Sequence, residues 1–118
     1  MQRKFRLTRP TDFKRVRRTG KSYAHPFVVL MVQPNEAPRV RVGVTAGRSV
    51  GGAVQRNRAK RLLREAIRPL LPDLLPGWDL ILIARPALPS KSLQEIRQVI
   101  ASLLRRAQIL PLSNENES

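Results

Sequence analysis

Val50-Gly51-Gly52-Ala53-Val54-Gln55-Arg56-Asn57-Arg58-Ala59-Lys60-Arg61-Leu62-Leu63-Arg64-Glu65-Ala66-Ile67-Arg68 is the stretch from which the rest of the chain is best read. Ala59, Leu62, Leu63, Ala66 and Ile67, with Leu70 just beyond, recur at the 3.6-residue period of an α-helix. The spacing predicts a helix from about Ala53 to Arg68, stopped by Pro69 and about 24 Å long. Opposite the leucines, Asn57, Lys60, Arg61, Arg64 and Arg68 fall on one arc, with Arg56 and Arg58 at its edges. One side belongs to a core. The other is a band of cations.

An ordinary solvated helix face is the plain alternative, and the pattern argues against it. Arg56 and Arg58 occupy the first turns, where the helix dipole prefers anions by roughly 0.3–1 kcal/mol per charge. Lys60 stands four residues from both Arg56 and Arg64, and Arg64 four from Arg68, so like charges repel along the face. A face shaped for stability alone would interleave glutamates. Phosphates reverse the sign of every one of these terms. Arginine adds a planar fork that grips phosphate by two hydrogen bonds and stacks on bases. Asn57 lies inside the helix rather than at its cap, where it is free to meet a base edge or a 2′-hydroxyl.

The whole chain extends this bias. Its 118 residues carry 23 Lys and Arg against 8 Asp and Glu, a formal charge of +15. At 42% hydrophobic residues the chain still folds around a core, and its length suits one domain. A polyanionic partner, nucleic acid before an anionic membrane, is the expected counterpart. Cysteine is absent and His25 is the single histidine, which leaves little from which to build a metal site or a histidine-based active centre. Asp12, Glu36, Glu65, Asp73, Asp79, Glu95, Glu115 and Glu117 are scattered, without the acidic cluster of a two-metal nuclease. No run is long and apolar enough to span a bilayer and no secretory pattern is present, so a cytoplasmic protein without a membrane is expected.

Around the helix, residues 1–10 read as a flexible basic arm, 11–110 as a single domain and 111–118 as a disordered polar tail. Pro10-Thr11 offers an N-cap for a short helix to Arg18, closed by Gly20 at its C′ position. Phe27–Val32 is an apolar strand, and Val40–Ala46 alternates as a second, expected to pair antiparallel with the first across the loop at 33–39. After a glycine-rich turn, Gly47–Gly52, come the basic helix and a proline-rich connection over 69–77. Leu80–Ala84 is a third strand. Ser92 and Glu95 form a capping box for a last helix whose stripe is Leu93, Ile96, Ile100, Leu103, Leu104 and Ala107. Helix, strand, strand, helix, strand, helix makes a small α+β sandwich on a mixed sheet.

The stretch Val50–Glu65, with Arg56-Asn57-Arg58, Lys60-Arg61 and Arg64-Glu65 as its core, resembles the signature of the bacterial ribonuclease P protein family. Asp12-Phe13-Lys14-Arg15-Val16, Arg41-Val42-Gly43-Val44-Thr45 and Gly77-Trp78-Asp79 leading into Leu80–Arg85 resemble that family's first helix, central strand and last strand. The resemblance implies a left-handed crossover from the strand at 40–46 through the basic helix to the strand at 80–84. It implies a subunit without catalytic residues of its own, inactive alone, whose partners are a catalytic RNA subunit and precursor transfer RNA, with no obligate protein partner. The protein would bind no cofactor; the RNA would hold the magnesium ions. Carried over by position, Arg56, Asn57, Arg58, Lys60, Arg61 and Arg64 would meet the RNA subunit, Arg48 and Arg68 of the same basic stretch are expected to bind RNA with them, and Phe13, Arg17 and Met31 would line the cleft for the 5′ leader. Arg17 and Met31 stand where the family often has aromatics, and Ser49 where a second cation often follows Arg48, so reduced base stacking is expected, with Arg17 stacking or pairing phosphate instead. Phe13 reads equally as core filling, and Tyr23 and Phe27 read as structural. A protein-only nuclease and a general RNA scaffold are the competing functions.

Overall fold

The computed structural model describes residues 3–111. Pro10 presets a helical φ and has no N–H to satisfy, so helix α1 (Pro10–Thr19) starts on it, with Arg9 rather than Thr11 at the N-cap. Gly20 then turns the chain, but not through the left-handed region expected of a C′ glycine: its φ is −77° and its ψ 161°. Glycine is needed there for room. A Cβ would lie 2.5 Å from the Val16 carbonyl oxygen and 2.7 Å from that of Val32.

Among the described residues four strands follow where three were expected. The addition is β1 (Lys21–His25), which turns through Pro26-Phe27 into β2 (Val28–Pro34), with Tyr23 opposite Leu30 and His25 opposite Val28. Next come β3 (Arg41–Ala46), helix α2 (Ala53–Ile67), β4 (Trp78–Ala84) and helix α3 (Leu93–Arg106). The connection from α2 to β4 is not all coil, since Arg68–Asp73 winds as a 3₁₀ turn around Pro69 and Pro72. The sheet order is β1-β2-β4-β3.

This order corrects the expected pairing of β2 with β3. Strand β4 enters between them, antiparallel to β2 and parallel to β3, so that Leu30, Leu82 and Val44 form one row across the sheet. The physical reason lies in β4 itself. Leu80, Ile81 and Leu82 are fully buried, which requires ladder partners on both edges and cover on both faces. A β2–β3 hairpin would leave that strand at an edge. The 33–39 loop instead serves the entry of β4: Asn35 donates its N–H to the Gly77 carbonyl at 2.8 Å, and Gly77 donates to Arg39 at 3.2 Å.

Helices α2 and α3 cover one face. Ala59, Leu63, Ala66, Ile67, Ile96, Ile100 and Leu104 pack there on Leu30, Val32, Val42, Leu80 and Leu82. Helix α1 covers part of the other face through a smaller cluster of Leu7, Val16 and Ile81, joined by Phe13, Met31 and Ile83. Leu7 comes from the stretch read as a flexible arm. It is 3% exposed, donates its N–H to the Val42 carbonyl at 2.9 Å, and Arg6 bridges to Val42, so residues 6 and 7 lie along the free edge of β3. Residues 1–2 of the arm and 112–118 of the tail lie outside the described residues.

The capping box of α3 is present in both directions: Glu95 N–H donates to Ser92 Oγ at 3.1 Å, and Ser92 N–H to Glu95 Oε1 at 3.2 Å. The bond from the Ser92 backbone N–H first, and the Ser92 hydroxyl second, hold the Glu95 carboxyl below its ordinary range. At its other end α3 closes with a Schellman motif. Ile109 N–H donates to the Leu104 carbonyl at 2.9 Å and Gln108 N–H to that of Arg105 at 3.0 Å. Gln108 sits at C′ with φ 63°, where glycine carries no Cβ penalty. Gln108→Gly is therefore expected to raise stability by about 0.5–1 kcal/mol, read as a higher urea midpoint at unchanged m-value.

Candidate nucleic-acid interface

Helix α2 starts from Gly52, which provides no side-chain cap, and its first turn holds no acid, so the positive end of the helix is uncompensated. Ala59, Leu63, Ala66 and Ile67 anchor it in the core. The opposite side faces out: Asn57, Arg58 and Arg61 are exposed, and Arg56, Lys60 and Arg64 half-buried. Arg48 stands exposed just before the helix in the 3₁₀ turn Arg48–Val50. Among the described residues, none of Arg48, Arg56, Arg58, Lys60, Arg61 and Arg64 reaches a carboxylate of the chain. Arg68 differs from the rest of the band, for its guanidinium pairs with Glu65 at 2.9 Å. That pair is exposed on both sides, so an incoming phosphate displaces it at little cost.

On the other face of the sheet, the tip of the Phe13 ring comes down on Gly43. A Cβ at Gly43 would come 2.4 Å from the Phe13 ring, so glycine is what admits the aromatic so close to β3. Phe13 and Met31 meet in the same small cluster. Arg17 stands exposed one turn further along α1. Phe13 is neither wholly core nor wholly surface: one side rests on the sheet, and its ring lines a depression of about 240 Å³ with Arg6, Leu7, Thr8, Gly43 and Arg64. Arg64 thereby joins the cationic band of α2 to the Phe13 depression around the free edge of β3. The sequence pattern did not reveal that junction, nor the presence of Arg6 and Thr8 in it. Both lie on a segment with no periodicity to place it.

Asp79 sets how α1 rides on the sheet. It is fully buried on β4 and takes Arg41 side-on, Nε at 2.9 Å and the terminal nitrogen at 2.8 Å, with Asn35 Nδ2 at 2.7 Å. Arg15 of α1 reaches over to the same carboxylate and to Gln33, and also pairs with Asp12 at 3.4 Å. Burial opposes ionisation of Asp79, but the hydrogen bonds from Arg41, Asn35 and Arg15 outweigh it and hold the carboxyl below its ordinary range. The α1 face thus has a pinned polar end at Asp79 and an open apolar end at Phe13 and Met31. Sequence reasoning placed Asp79 among the scattered acids and in the Gly77-Trp78-Asp79 stretch, but gave it no role; a lone acid heading an apolar strand was the available signal.

Among the described residues, no group of three or more His, Asp or Glu is placed to hold a metal ion, and no helix is long and apolar enough to cross a membrane. The surface this leaves is cationic, continuous around one strand edge, and bordered by a groove with Phe13 in its wall, a combination suited to contacting phosphates and stacking a base.

Comparison with known proteins gives the family of the chain. The family model for ribonuclease P matches residues 1–108. A ribonuclease P protein component from Herpetosiphon aurantiacus is 45% identical over 109 residues, covering 92% of this chain and 89% of that protein. One from Chloroflexus aurantiacus is 42% identical over 120 residues, with 100% and 89% covered. In structure, the RNase P protein of Staphylococcus aureus superposes with a TM-score of 0.80 at 28% identity, over 91% of this chain and 98% of that one. The protein from Thermotoga maritima gives 0.76 at 28% identity, over 86% and 96%. With the family model matched over all but the last ten residues, the chain belongs to the ribonuclease P protein family.

Proposed function

We propose that the chain is the protein subunit of a ribonuclease P ribonucleoprotein, binding a catalytic RNA through α2 and the 5′ leader of precursor transfer RNA through the groove beside Phe13. The observation that carries this reading is the band of Arg56, Arg58, Lys60, Arg61 and Arg64, without internal carboxylate partners among the described residues and continuous through Arg64 with that groove. In this reading the RNA holds the magnesium ions and performs the cleavage. The protein's own acids are already engaged or dispersed: Asp79 and Asp12 by Arg15, Glu65 by Arg68, Glu95 by the α3 cap. Reconstitution tests it. Precursor transfer RNA and magnesium are incubated with the protein alone, the RNA subunit alone and the two together at low magnesium. Cleavage at the mature 5′ end by the pair, and none by the protein alone, is expected. Cleavage by the protein alone overturns the assignment of catalysis to RNA.

The groove makes a narrower prediction. Phe13→Ala is expected to reduce the preference for leader-bearing over mature transfer RNA by roughly tenfold, as for the loss of one stacked base, while affinity for the RNA subunit stays within about twofold. Equal losses in both binding assays would return Phe13 to the core.

A further inference from the structure

On the face of the sheet opposite Phe13, below the C-terminal end of α3, lies a cavity of about 520 Å³ that the RNA-binding surface above does not use. Thr19, Lys21, Tyr23, Trp78, Arg106 and Gln108 are among its lining residues, and no carboxylate is. Trp78 and Tyr23 are half-buried at the margin of the main core, and both line the cavity. The Arg106 guanidinium stands 5.7 Å from the centre of the Tyr23 ring, while Lys21 and Arg106 put two exposed cations on the rim. Aromatic wall and cationic rim together suit a flat, anionic ligand.

A second observation comes from the backbone. Gln108 is the one non-glycine residue with positive φ among the described residues, and it stands where a Schellman motif favours glycine. The chain keeps a side chain at a position where having none would be more stable, and that side chain lines this cavity. A carboxamide offers a donor and an acceptor together, the complement of a nucleobase edge.

We propose that this cavity is a nucleotide site: the base rests against Trp78, beside the Arg106 guanidinium that lies over Tyr23, Gln108 reads its edge, and Lys21 and Arg106 hold the phosphate. A free mononucleotide and a nucleotide turned out of single-stranded RNA share this chemistry. The site does not depend on the function proposed above, because it shares no residue with α2 or with the Phe13 groove.

Trp78 is the only tryptophan of the chain, so its fluorescence reports on the cavity directly. The full-length protein is titrated with AMP, with a short single-stranded oligoadenylate, and with ribose 5-phosphate. Saturable quenching by a base-bearing ligand is expected, with none by ribose 5-phosphate. Quenching by the oligonucleotide at tenfold or more lower concentration assigns the site to an RNA strand; a smaller difference assigns it to the free nucleotide. The Lys21→Glu/Arg106→Glu double variant is expected to weaken quenching at least tenfold with unchanged circular dichroism. Gln108→Gly should weaken it severalfold in a more stable protein, which separates lost binding from lost folding. No quenching by either base-bearing ligand, equal quenching by ribose 5-phosphate, or a titration unaltered in the double variant would each overturn the site.

Discussion

Replacing Arg56, Arg58 and Arg61 together by alanine is expected to lower affinity for the RNA subunit by about two to three orders of magnitude, roughly 150- to 2000-fold, and leave the fold intact. Each charge-assisted contact to phosphate contributes roughly 1–1.5 kcal/mol beyond what water supplies, and three are removed. The loss should be largest at low salt, and the slope of log K against log salt should fall by about 0.9 for each phosphate released. Stability should hold or rise. Alanine has the higher helix propensity, the i,i+4 repulsion between Arg56 and Lys60 disappears, and none of the three arginines touches a carboxylate among the described residues. Circular dichroism and urea unfolding check the fold, and filter binding over a salt series checks the affinity. A variant that unfolds would show that the cations serve the helix; one that binds normally would show that RNA meets another face.

The second large effect belongs to stability. Asp79→Asn keeps the volume but removes the charge facing Arg41 and Arg15, and turns an amide N–H₂ toward one of the guanidinium groups. Breaking a buried ion pair typically costs 3–5 kcal/mol. Both arginines here are partly exposed, at 34% for Arg15 and 26% for Arg41, so about 2–3 kcal/mol is expected at neutral pH. The pH dependence has a definite sign. Asp79 ionises more readily folded than unfolded, so its contribution is complete above its ordinary value of 3.8 and is lost as pH falls through the lower folded value. The stability gap between the two proteins should be constant above about pH 5 and close below about pH 4. A gap that stays constant into strong acid would mean that Asp79 contributes through packing rather than charge. Because Arg15 is the link from α1 to this carboxylate, the variant should also loosen the helix that carries Phe13 and Arg17.

The basic helix was legible in advance because a 3.6-residue period sorts Leu63 from Arg64 without any knowledge of the rest of the fold. The same holds for the α3 capping box, whose partners are three residues apart. Non-local relations were not legible. Leu80-Ile81-Leu82-Ile83-Ala84 announces burial on both faces, yet nothing in it says that its neighbours are β2 and β3 rather than one of them. Strand β1 was missed because Lys21-Ser22-Tyr23-Ala24-His25 has one large apolar residue and sits at an edge, where alternate positions face water. The Asp79 network needs the register that sets Asp79 between Gln33 and Arg41, which is a property of three strands. Gly20 was recognised as a helix stop for the wrong reason, since close approach of two carbonyls leaves no trace in local sequence.

The place of β4 between β2 and β3 also orders events during synthesis. When Ile67 has left the exit tunnel, the cationic helix is complete, but β2 lacks the neighbour on its inner edge and β3 lacks its only strand partner. Leu30 then has β1 on one side and nothing on the other, and Val42 has not yet acquired the β4 strand beside it. A nascent chain at that stage exposes sticky strand edges together with a polycation, a combination prone to wrong association until residues 78–84 slide in and close the sheet. Truncations ending before Trp78 should therefore be recovered as aggregates or nucleic-acid coprecipitates, however well formed their arginine helix is.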